Sequence, residues 1–145
     1  MSGQRVLFLC TGNSARSQMA EAFLRKYGNG RFEPHSAGLE PKGVNPLTVK
    51  VMDEVGIDIS NQTSKGIETY LGKMSFQYLV TVCDDADKNC PAVWPGVHKR
   101  MHWSFKDPAR FEGTEEEKLA KFREVRDLIE SRVKQWVQEQ DMEAL

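Results

Sequence analysis

A cysteine and an arginine separated by five residues are the most chemically informative feature of the sequence. Cys10 and Arg16 enclose a short polar segment, Thr11-Gly12-Asn13-Ser14-Ala15. A loop of this length can wrap its main-chain N–H groups around a tetrahedral oxyanion, and a helix N-terminus behind it adds a positive dipole end. The same field lowers the pKa of the cysteine, which makes a thiolate nucleophile available near neutral pH. Arg16 can then bind two oxygens of the anion.

The residues around this pair favour the same interpretation. We predict that Ser17 hydrogen-bonds the Cys10 sulfur and that Asn13 braces the loop. The spacing alone occurs often by chance, but an apolar strand before it and a helix after it make it far more specific. The competing interpretation is a buried cysteine at a strand end beside a solvent-facing arginine.

The dipeptide Asp107-Pro108 is a second chemical element. A nucleophile that displaces oxygen from an oxyanion needs an acid to protonate the departing oxygen. The proline favours an extended conformation for the aspartate before it, which suits a rigid loop tip. Asp-Pro by itself is only a turn signal, but beside the cysteine–arginine loop it predicts that Asp107 is the general acid.

The chain has three cysteines, Cys10, Cys83 and Cys90. An odd number does not make the disulfide framework of a small secreted protein. A zinc site that adds His98 and His102 is disfavoured, because six residues separate Cys83 from Cys90 and structural zinc pairs are spaced more closely. In a reducing compartment such cysteines are buried and inert, or chemically active.

The bulk composition excludes several classes of protein. The chain has 145 residues, 28% of them charged, and a formal net charge of −1. It lacks the basic excess that is typical of nucleic-acid binders. It also lacks a signal-peptide pattern and any run of the ~20 apolar residues that span a membrane. We predict a single domain over residues 1–145, monomeric and cytoplasmic, that binds neither nucleic acid nor membranes.

Hydrophobic patterning predicts alternating strands and helices. An apolar strand over 6–9 ends at Cys10, and a helical pattern follows it as far as Gly28. The later predicted elements are a strand over 32–37, a helix over 46–55 capped by Asn45, a short helix over 64–71 capped by Ser64, strands over 78–82 and 97–103, and a long helix from the capping box Thr114-Glu115-Glu116-Glu117 to Trp136. We expect segment 84–89 to be a solvated acidic loop and segment 138–145 to be a frayed tail.

This alternation predicts a parallel sheet with helices on both faces. The residues that carry out chemistry in such sheets collect at the carboxyl ends of the strands. Cys10 and Cys83 each fall one residue past a predicted strand. If the two strands are neighbours, their axes lie roughly 5 Å apart, and a disulfide between these cysteines is sterically feasible.

Five segments resemble the thioredoxin-coupled arsenate reductases: VLFLCTGNSARSQMAE, SAGLEPKGVNP, VGIDISNQTS, LVTVCDDADKNCP and HWSFKDPARFEGTEEEK. The resemblance implies the fold of the low-molecular-weight protein tyrosine phosphatases, a three-layer sandwich with a four-stranded parallel sheet in the order 2-1-3-4. It also implies a role for each candidate residue: Cys10 as nucleophile, Arg16 as oxyanion ligand, Asp107 as general acid, and Cys83 with Cys90 as the redox pair.

The reaction that this resemblance implies is the reduction of arsenate to arsenite in arsenic detoxification. Cys10 displaces hydroxide from arsenate, and Cys83 then attacks the Cys10 sulfur and expels arsenite. Cys90 moves the disulfide to Cys83–Cys90, which thioredoxin reduces by exchange. That disulfide needs Cα atoms within ~7 Å of each other. The polar segment between the two cysteines can refold to bring them together, because it has almost no apolar surface to expose.

Two other functions fit parts of the pattern. A tyrosine phosphatase on the same fold is disfavoured by the two extra cysteines and by Ala109, where related phosphatases usually carry an aromatic residue. Phosphate and arsenate are nearly isosteric, so a slow side activity on phosphate esters is compatible with the sequence. A non-catalytic oxyanion-binding module is disfavoured by the complete set of Cys10, Arg16 and Asp107.

The resemblance also implies a supporting site beside the loop. In potassium-binding relatives the ion lies near positions that match Asn13, Glu21, Ser36 and Lys65 of this chain. Those relatives carry an acidic residue at the position of Lys65. We predict that the Lys65 ammonium takes the place of the ion, pairs with Glu21 and keeps Asn13 oriented. The alternative is a lysine that points into solvent. No metal or other cofactor is expected.

Overall fold

The computed structural model describes residues 3–143. Within these residues, four parallel strands form one sheet in the order β2-β1-β3-β4, which confirms the predicted fold class and strand order. The strands are β1 Gln4–Cys10, β2 Phe32–Gly38, β3 Phe76–Thr81 and β4 Val97–His102. The α-helices are α1 Arg16–Tyr27, α2 Pro46–Glu54, α3 Asp84–Asn89 and α4 Glu115–Glu143, and short 3-10 helices lie at Ile67–Thr69 and Pro108–Arg110.

Strand β1 lies at the centre of the sheet because its apolar side chains are buried on both faces. Residues from Val6 to Cys10 are at most 2% exposed. Leu9 pairs with β2 on one side and with Thr81 of β3 on the other. Both β1 and β3 therefore end at the same edge of the sheet. Cys10 is the last residue of β1 and Cys83 lies two residues after β3, rather than each one residue past its strand as predicted. Replacing the fully buried Phe8 by alanine would cost about 3–5 kcal/mol of stability.

Helices cover both faces of the sheet, as the alternation of elements predicted. Side chains alternate along a strand, so Phe32 and Ser36 share one face. On this face Ser36 donates to a carboxylate of α1, and Phe32 packs on Trp136 of α4 with ring centroids 4.9 Å apart. Thr81 lies on the opposite face, where its hydroxyl donates to Asp87 of α3 at 3.1 Å. The carboxyl edge of the sheet is thus enclosed between α1 and α3.

Segment 84–89 is a helix, not the predicted loop. The Cys83 sulfur caps it by accepting the Ala86 N–H at 3.3 Å. Asp84, Asp85 and Asp87 lie in its first turn, where negative charge is favourable to the helix dipole. The acidic composition that indicated a loop therefore also suits the start of a short helix.

Two other predicted segments differ from the structure. Residues 138–143 continue α4 rather than fraying, because Gln140 accepts the Tyr78 hydroxyl at 3.1 Å and Asp141 pairs with Arg31. The last two residues of the predicted tail, 144 and 145, lie outside the described residues. Ser64 does not cap a helix, since its hydroxyl donates to the Gly12 carbonyl at 3.2 Å and only a 3-10 turn follows.

Helix α4 is 29 residues long, but charged side chains recur along its whole length. None of the helices described between residues 3 and 143 is both long enough and apolar enough to cross a lipid bilayer.

Candidate active site

The loop between Cys10 and Arg16 packs directly against the backbone of β2. A Cβ atom on Gly38 would lie 2.7 Å from the Thr11 carbonyl oxygen and 2.8 Å from the Asn13 nitrogen, so only glycine allows this approach. Asn13 has a φ of 48°, in the left-handed region that asparagine tolerates better than most residues. The loop conformation is therefore determined by the sheet as well as by its own sequence.

Hydrogen bonds of Asn13 hold the loop from several sides. This residue is fully buried. Its side-chain amide donates to Ser17 Oγ at 2.8 Å and accepts the main-chain N–H of Lys65 at 2.8 Å. Its carbonyl oxygen accepts from the Gln18 side chain at 3.1 Å. The loop is thus rigid before any anion binds.

Cys10 is held as a thiolate in this loop. Its pKa is lowered to about 5, first by a hydrogen bond from the Cys83 thiol and further by the Arg16 charge, by Ser17 and by the Asn13 N–H, while burial opposes the shift. The same hydrogen bond raises the pKa of Cys83 well above its usual range, with burial adding to the effect. The two sulfurs therefore share one proton, which Cys83 carries and donates.

Thr11 connects the loop to the second cysteine. Its hydroxyl oxygen lies 3.5 Å from the Cys83 sulfur and donates to Asp85 of α3 at 2.8 Å. Cys83 is itself buried, at the junction of β3 and α3. The first turn of α3 is consequently tied to the oxyanion loop.

Arg16 and Asp107 complete the site and contact each other. Arg16 is 9% exposed, and its guanidinium donates to the Phe105 carbonyl at 3.0 Å. Its other terminal nitrogen lies 3.6 Å from Asp107 Oδ2. The second Asp107 oxygen accepts the Ala109 N–H at 3.0 Å, which holds the carboxylate at the loop tip. Arg16 is thereby kept in the orientation needed to bind an anion.

These groups line one cleft with a volume of about 620 Å³. Cys10, Cys83, Arg16 and Asp107 all contribute to it. Three further cationic side chains line it, together with the carboxylates of the first turn of α3: Lys42, Lys106, Arg110, Asp84 and Asp85. The arrangement can bind a tetrahedral oxyanion, attack it with a thiolate and protonate the departing oxygen.

Cys90 is the one candidate cysteine that lies outside this cleft. It follows α3, seven positions after Cys83. A helix rises about 1.5 Å per residue, so the two Cα atoms are roughly 10 Å apart, beyond the ~7 Å limit for a disulfide. Burial raises the pKa of the Cys90 thiol, and the nearby Arg100 guanidinium opposes this shift.

The predicted ion pair between Lys65 and Glu21 is wrong. Lys65 Nζ donates instead to the Thr63 carbonyl at 2.6 Å. Glu21 is bound by Arg25 at 2.7 Å and by the Ser36 hydroxyl at 2.6 Å. Arg25 prevails because it lies one helical turn from Glu21 on the same face of α1. Burial lowers the pKa of Lys65, and the Glu21 charge opposes this, so the ammonium still lies within the field of Glu21.

Several residues at the site were missed by sequence reasoning. Arg110 stands three positions after Asp107, a spacing that could have suggested their contact at 3.7 Å. Arg100 stands two positions before His102, and strand alternation could have placed both on one face of β4. Lys42 carries no comparable signal, because only the path of its loop brings it to the cleft. Between residues 3 and 143, no group of three or more His, Cys, Asp or Glu side chains is arranged to hold a metal ion.

A parallel sheet of this order, with a cysteine–arginine oxyanion loop after its first strand, defines a phosphatase-like fold. Residues 5–144 match the family described as low molecular weight phosphotyrosine protein phosphatase. The chain belongs to this family.

Proteins named arsenate reductase are among its relatives. One from Bacillus subtilis (strain 168) is 50% identical over 138 residues, which cover 95% of this chain and 98% of that protein. A solved arsenate reductase in the phosphate binding state has a TM-score of 0.78 and 34% identity, covering 94% of this chain and 98% of that one. A thioredoxin-dependent arsenate reductase from Corynebacterium glutamicum has a TM-score of 0.70 and 26% identity, covering 97% of this chain and 63% of that one. The predicted resemblance is confirmed.

Proposed function

We propose that this chain reduces arsenate to arsenite, using Cys10, Cys83 and Cys90 in turn and thioredoxin as the reductant. The observation that carries the proposal is the presence of two cysteines, Cys10 and Cys83, in one cleft with Arg16 and Asp107. Hydrolysis of a phosphate ester needs one thiolate and a water molecule. Reduction needs a second thiol within reach of the first.

In the first step the Cys10 thiolate attacks arsenate. A sulfur–arsenic bond forms and an arsenic–oxygen bond breaks. The departing oxygen leaves as water after Asp107 donates a proton. Arg16 and the main-chain N–H groups of the loop bind the remaining oxygens, as they would bind those of phosphate.

In the second step Cys83 attacks the Cys10 sulfur. A sulfur–sulfur bond forms while the sulfur–arsenic bond breaks, and its electron pair reduces arsenic from the pentavalent to the trivalent state. Cys83 loses its proton at this stage, and an oxygen of the departing arsenite takes it up. Its raised pKa is caused first by the hydrogen bond to the Cys10 thiolate, and that thiolate is consumed once sulfur binds arsenic. The first step thus prepares the nucleophile for the second.

In the third step Cys90 attacks Cys83, and Cys10 leaves with the electron pair of the broken disulfide. Because α3 holds the two cysteines too far apart, this helix has to unwind. Apart from Ala86, its side chains are exposed, so unwinding uncovers little apolar surface. The low pKa of Cys10 makes it a good leaving group.

Thioredoxin then reduces the Cys83–Cys90 disulfide by exchange. This assignment is supported by the described thioredoxin dependence of the Corynebacterium glutamicum relative. We expect the reaction to take place in the cytoplasm, because a reducing compartment keeps thioredoxin and the cysteines of this chain active. We also expect the chain to act as a monomer.

A slow hydrolysis of small phosphate esters accompanies this function. The residues that would carry it out are the same: Cys10, Arg16 and Asp107. Ala109 lines the cleft and offers no aromatic wall for a phenol ring. We therefore expect little preference for phosphotyrosine over other esters.

Trapping the disulfides tests the order of steps. The Cys90→Ser variant, treated with arsenate, should accumulate a Cys10–Cys83 disulfide that peptide mass spectrometry detects. Cys83→Ser should keep its phosphate-ester hydrolysis and lose arsenate turnover, and wild type should show Cys83–Cys90. Absence of the Cys10–Cys83 link in Cys90→Ser, or wild-type cycling of Cys83→Ser with thioredoxin, would contradict the relay.

A further inference from the structure

The attacking sulfur of the third step lies beside an arginine that the oxyanion site does not use. Arg100 Nη2 is 2.6 Å from the Cys90 sulfur. Arg100 also donates to the carbonyl oxygens of Pro91 and, at 3.2 Å, Ala92. Within the described chain, three consecutive residues after α3 are therefore bound by one guanidinium.

The position of Arg100 follows from the sheet register. It pairs with Leu79 of β3, and His102 pairs with Thr81. Alternation places both side chains on the face of the sheet that α3 covers. There they line a small cavity of about 180 Å³ together with Cys90. This cavity is separate from the oxyanion cleft.

We propose that Arg100 activates Cys90 as the attacking thiolate in the second disulfide exchange, a role that rests on the proposed function. A guanidinium beside a sulfur favours its ionised form and remains charged at any physiological pH. This is the contribution that Arg16 makes to Cys10 in the other cleft.

The other charged groups around Cys90 make such a cation necessary. Burial and the Asp87 carboxylate both raise the pKa of Cys90, and Arg100 lowers it through its charge and its hydrogen bond. His102 lines the same cavity, but its ring nitrogens contact Thr81 and Asp84. Within the described surroundings of Cys90, Arg100 is thus the group that counteracts burial.

The contacts of Arg100 also fit the motion that the exchange requires. Two of them go to main-chain carbonyls beyond α3 rather than to the helix itself. The arginine side chain is long and flexible. It can therefore stay with Cys90 when α3 unwinds, so the guanidinium still favours the thiolate once the sulfur leaves its buried position.

In the exchange itself, Cys90 first releases its proton to solvent. Its thiolate then attacks the Cys83 sulfur of the Cys10–Cys83 disulfide. The Cys83–Cys90 bond forms, the Cys10–Cys83 bond breaks, and Cys10 departs as a thiolate. One disulfide replaces another, so no electrons enter or leave the chain.

The first test measures Cys90 alone. In a Cys10→Ser/Cys83→Ser background, Cys90 is the only cysteine, and the rate of its alkylation by iodoacetamide can be followed against pH. We expect Arg100→Met to raise the pH midpoint by at least one unit and to slow alkylation at pH 7 by about tenfold. Arg100→Lys, which retains the charge, should give an intermediate midpoint. Lys99→Met loses the same charge from the other face of β4 and should leave the midpoint unchanged.

Faster alkylation of Cys90 in Arg100→Met would overturn the proposal. If Arg100 only keeps the segment after α3 closed, Arg100→Met exposes Cys90 to water and its alkylation becomes faster. An unchanged midpoint would overturn the proposal equally. Because this assay uses no arsenate, its result is independent of the proposed function.

The second test follows the exchange in the chain with all three cysteines. After one turnover with arsenate, Arg100→Met should accumulate Cys10–Cys83 at the expense of Cys83–Cys90, and higher pH should restore the transfer. Lys99→Met should match wild type. Normal transfer in Arg100→Met together with slowed alkylation would overturn the role of Arg100 in the relay and leave the relay itself intact.

Discussion

The two segments that carry cysteines in this protein are held by opposite kinds of contact. The Cys10 loop is buried, and Asn13, Ser17 and Gly38 hold it against α1 and β2. Helix α3, between Cys83 and Cys90, has six residues and is held at its surface by polar contacts. These include His102 to Asp84 at 2.9 Å, at exposed positions.

This difference matches the chemistry proposed for each segment. An oxyanion site needs donors that are fixed before the substrate arrives, because reorganising them during reaction would raise the barrier. A disulfide that moves over roughly 10 Å needs a segment that opens at small cost. Burial supplies the first property, and exposed polar contacts of low net stability supply the second.

The largest expected effect on activity comes from a change in the Cys10 loop. Cys10→Ser should abolish both arsenate reduction and phosphate-ester hydrolysis, because an alcohol at this position stays protonated. In wild type, alkylation of Cys10 should have a pH midpoint near 5, the value to which its pKa is lowered. A midpoint near 8 to 9, the range of an ordinary thiol, would show that the loop does not stabilise the thiolate.

Asp107→Asn should have the next largest effect. The amide cannot donate a proton as an acid does, so the first chemical step should slow by about 10²–10⁴-fold. Anion binding should change little, since Arg16 keeps its contact with the Phe105 carbonyl. Single-turnover kinetics measure the chemical step directly, and an unchanged rate would make Asp107 a structural residue only.

Helix α3 should respond to a much milder change. Asp84→Asn weakens the contacts of Asp84 with His102 and the Ser104 hydroxyl. Hydrogen exchange at the amides of α3 should become faster by about two- to fivefold, the range expected for exposed ion pairs. The amides of α1 serve as the internal control. Equal acceleration in α1 and α3 would indicate global destabilisation and remove the distinction between the two segments.

The smallest effect concerns Lys65 at the edge of the rigid loop. We still expect the lysine to replace the potassium ion of relatives, through its field rather than through an ion pair with Glu21. The Lys65→Asp variant should bind potassium. Its Tm should be about 2–4 °C higher in potassium chloride than in sodium chloride, which corresponds to about 1 kcal/mol of stabilisation by the bound ion. Wild type should show no such difference at matched ionic strength. Specific stabilisation of wild type by potassium would contradict the replacement.

Local patterns were sufficient to predict a parallel sheet with helices on both faces and the reactive candidates of the oxyanion loop, while the strand order followed from the family resemblance. The strand, the cysteine, the polar loop, the arginine and the helix follow one another within residues 4–27. Their order along the chain is visible in sequence periodicity and spacing, although the loop conformation also depends on Gly38 of β2. Asp107-Pro108 was recognisable for the same reason, because the proline constrains its own neighbour.

What depended on distant contacts was decided by the tertiary structure alone. The first turn of segment 84–89 is bound by Thr11 at Asp85 and by His102 at Asp84, and both partners are distant in the sequence. The pairing of Glu21 with Arg25 is by contrast a local contact, four residues apart on α1, that helical spacing could have indicated. Arg100 meets Cys90 only because β4 pairs with β3 in one register, which places that side chain under the end of α3. The sequence determined which groups are present and how each local segment folds, while the packing of the sheet decided which of them meet.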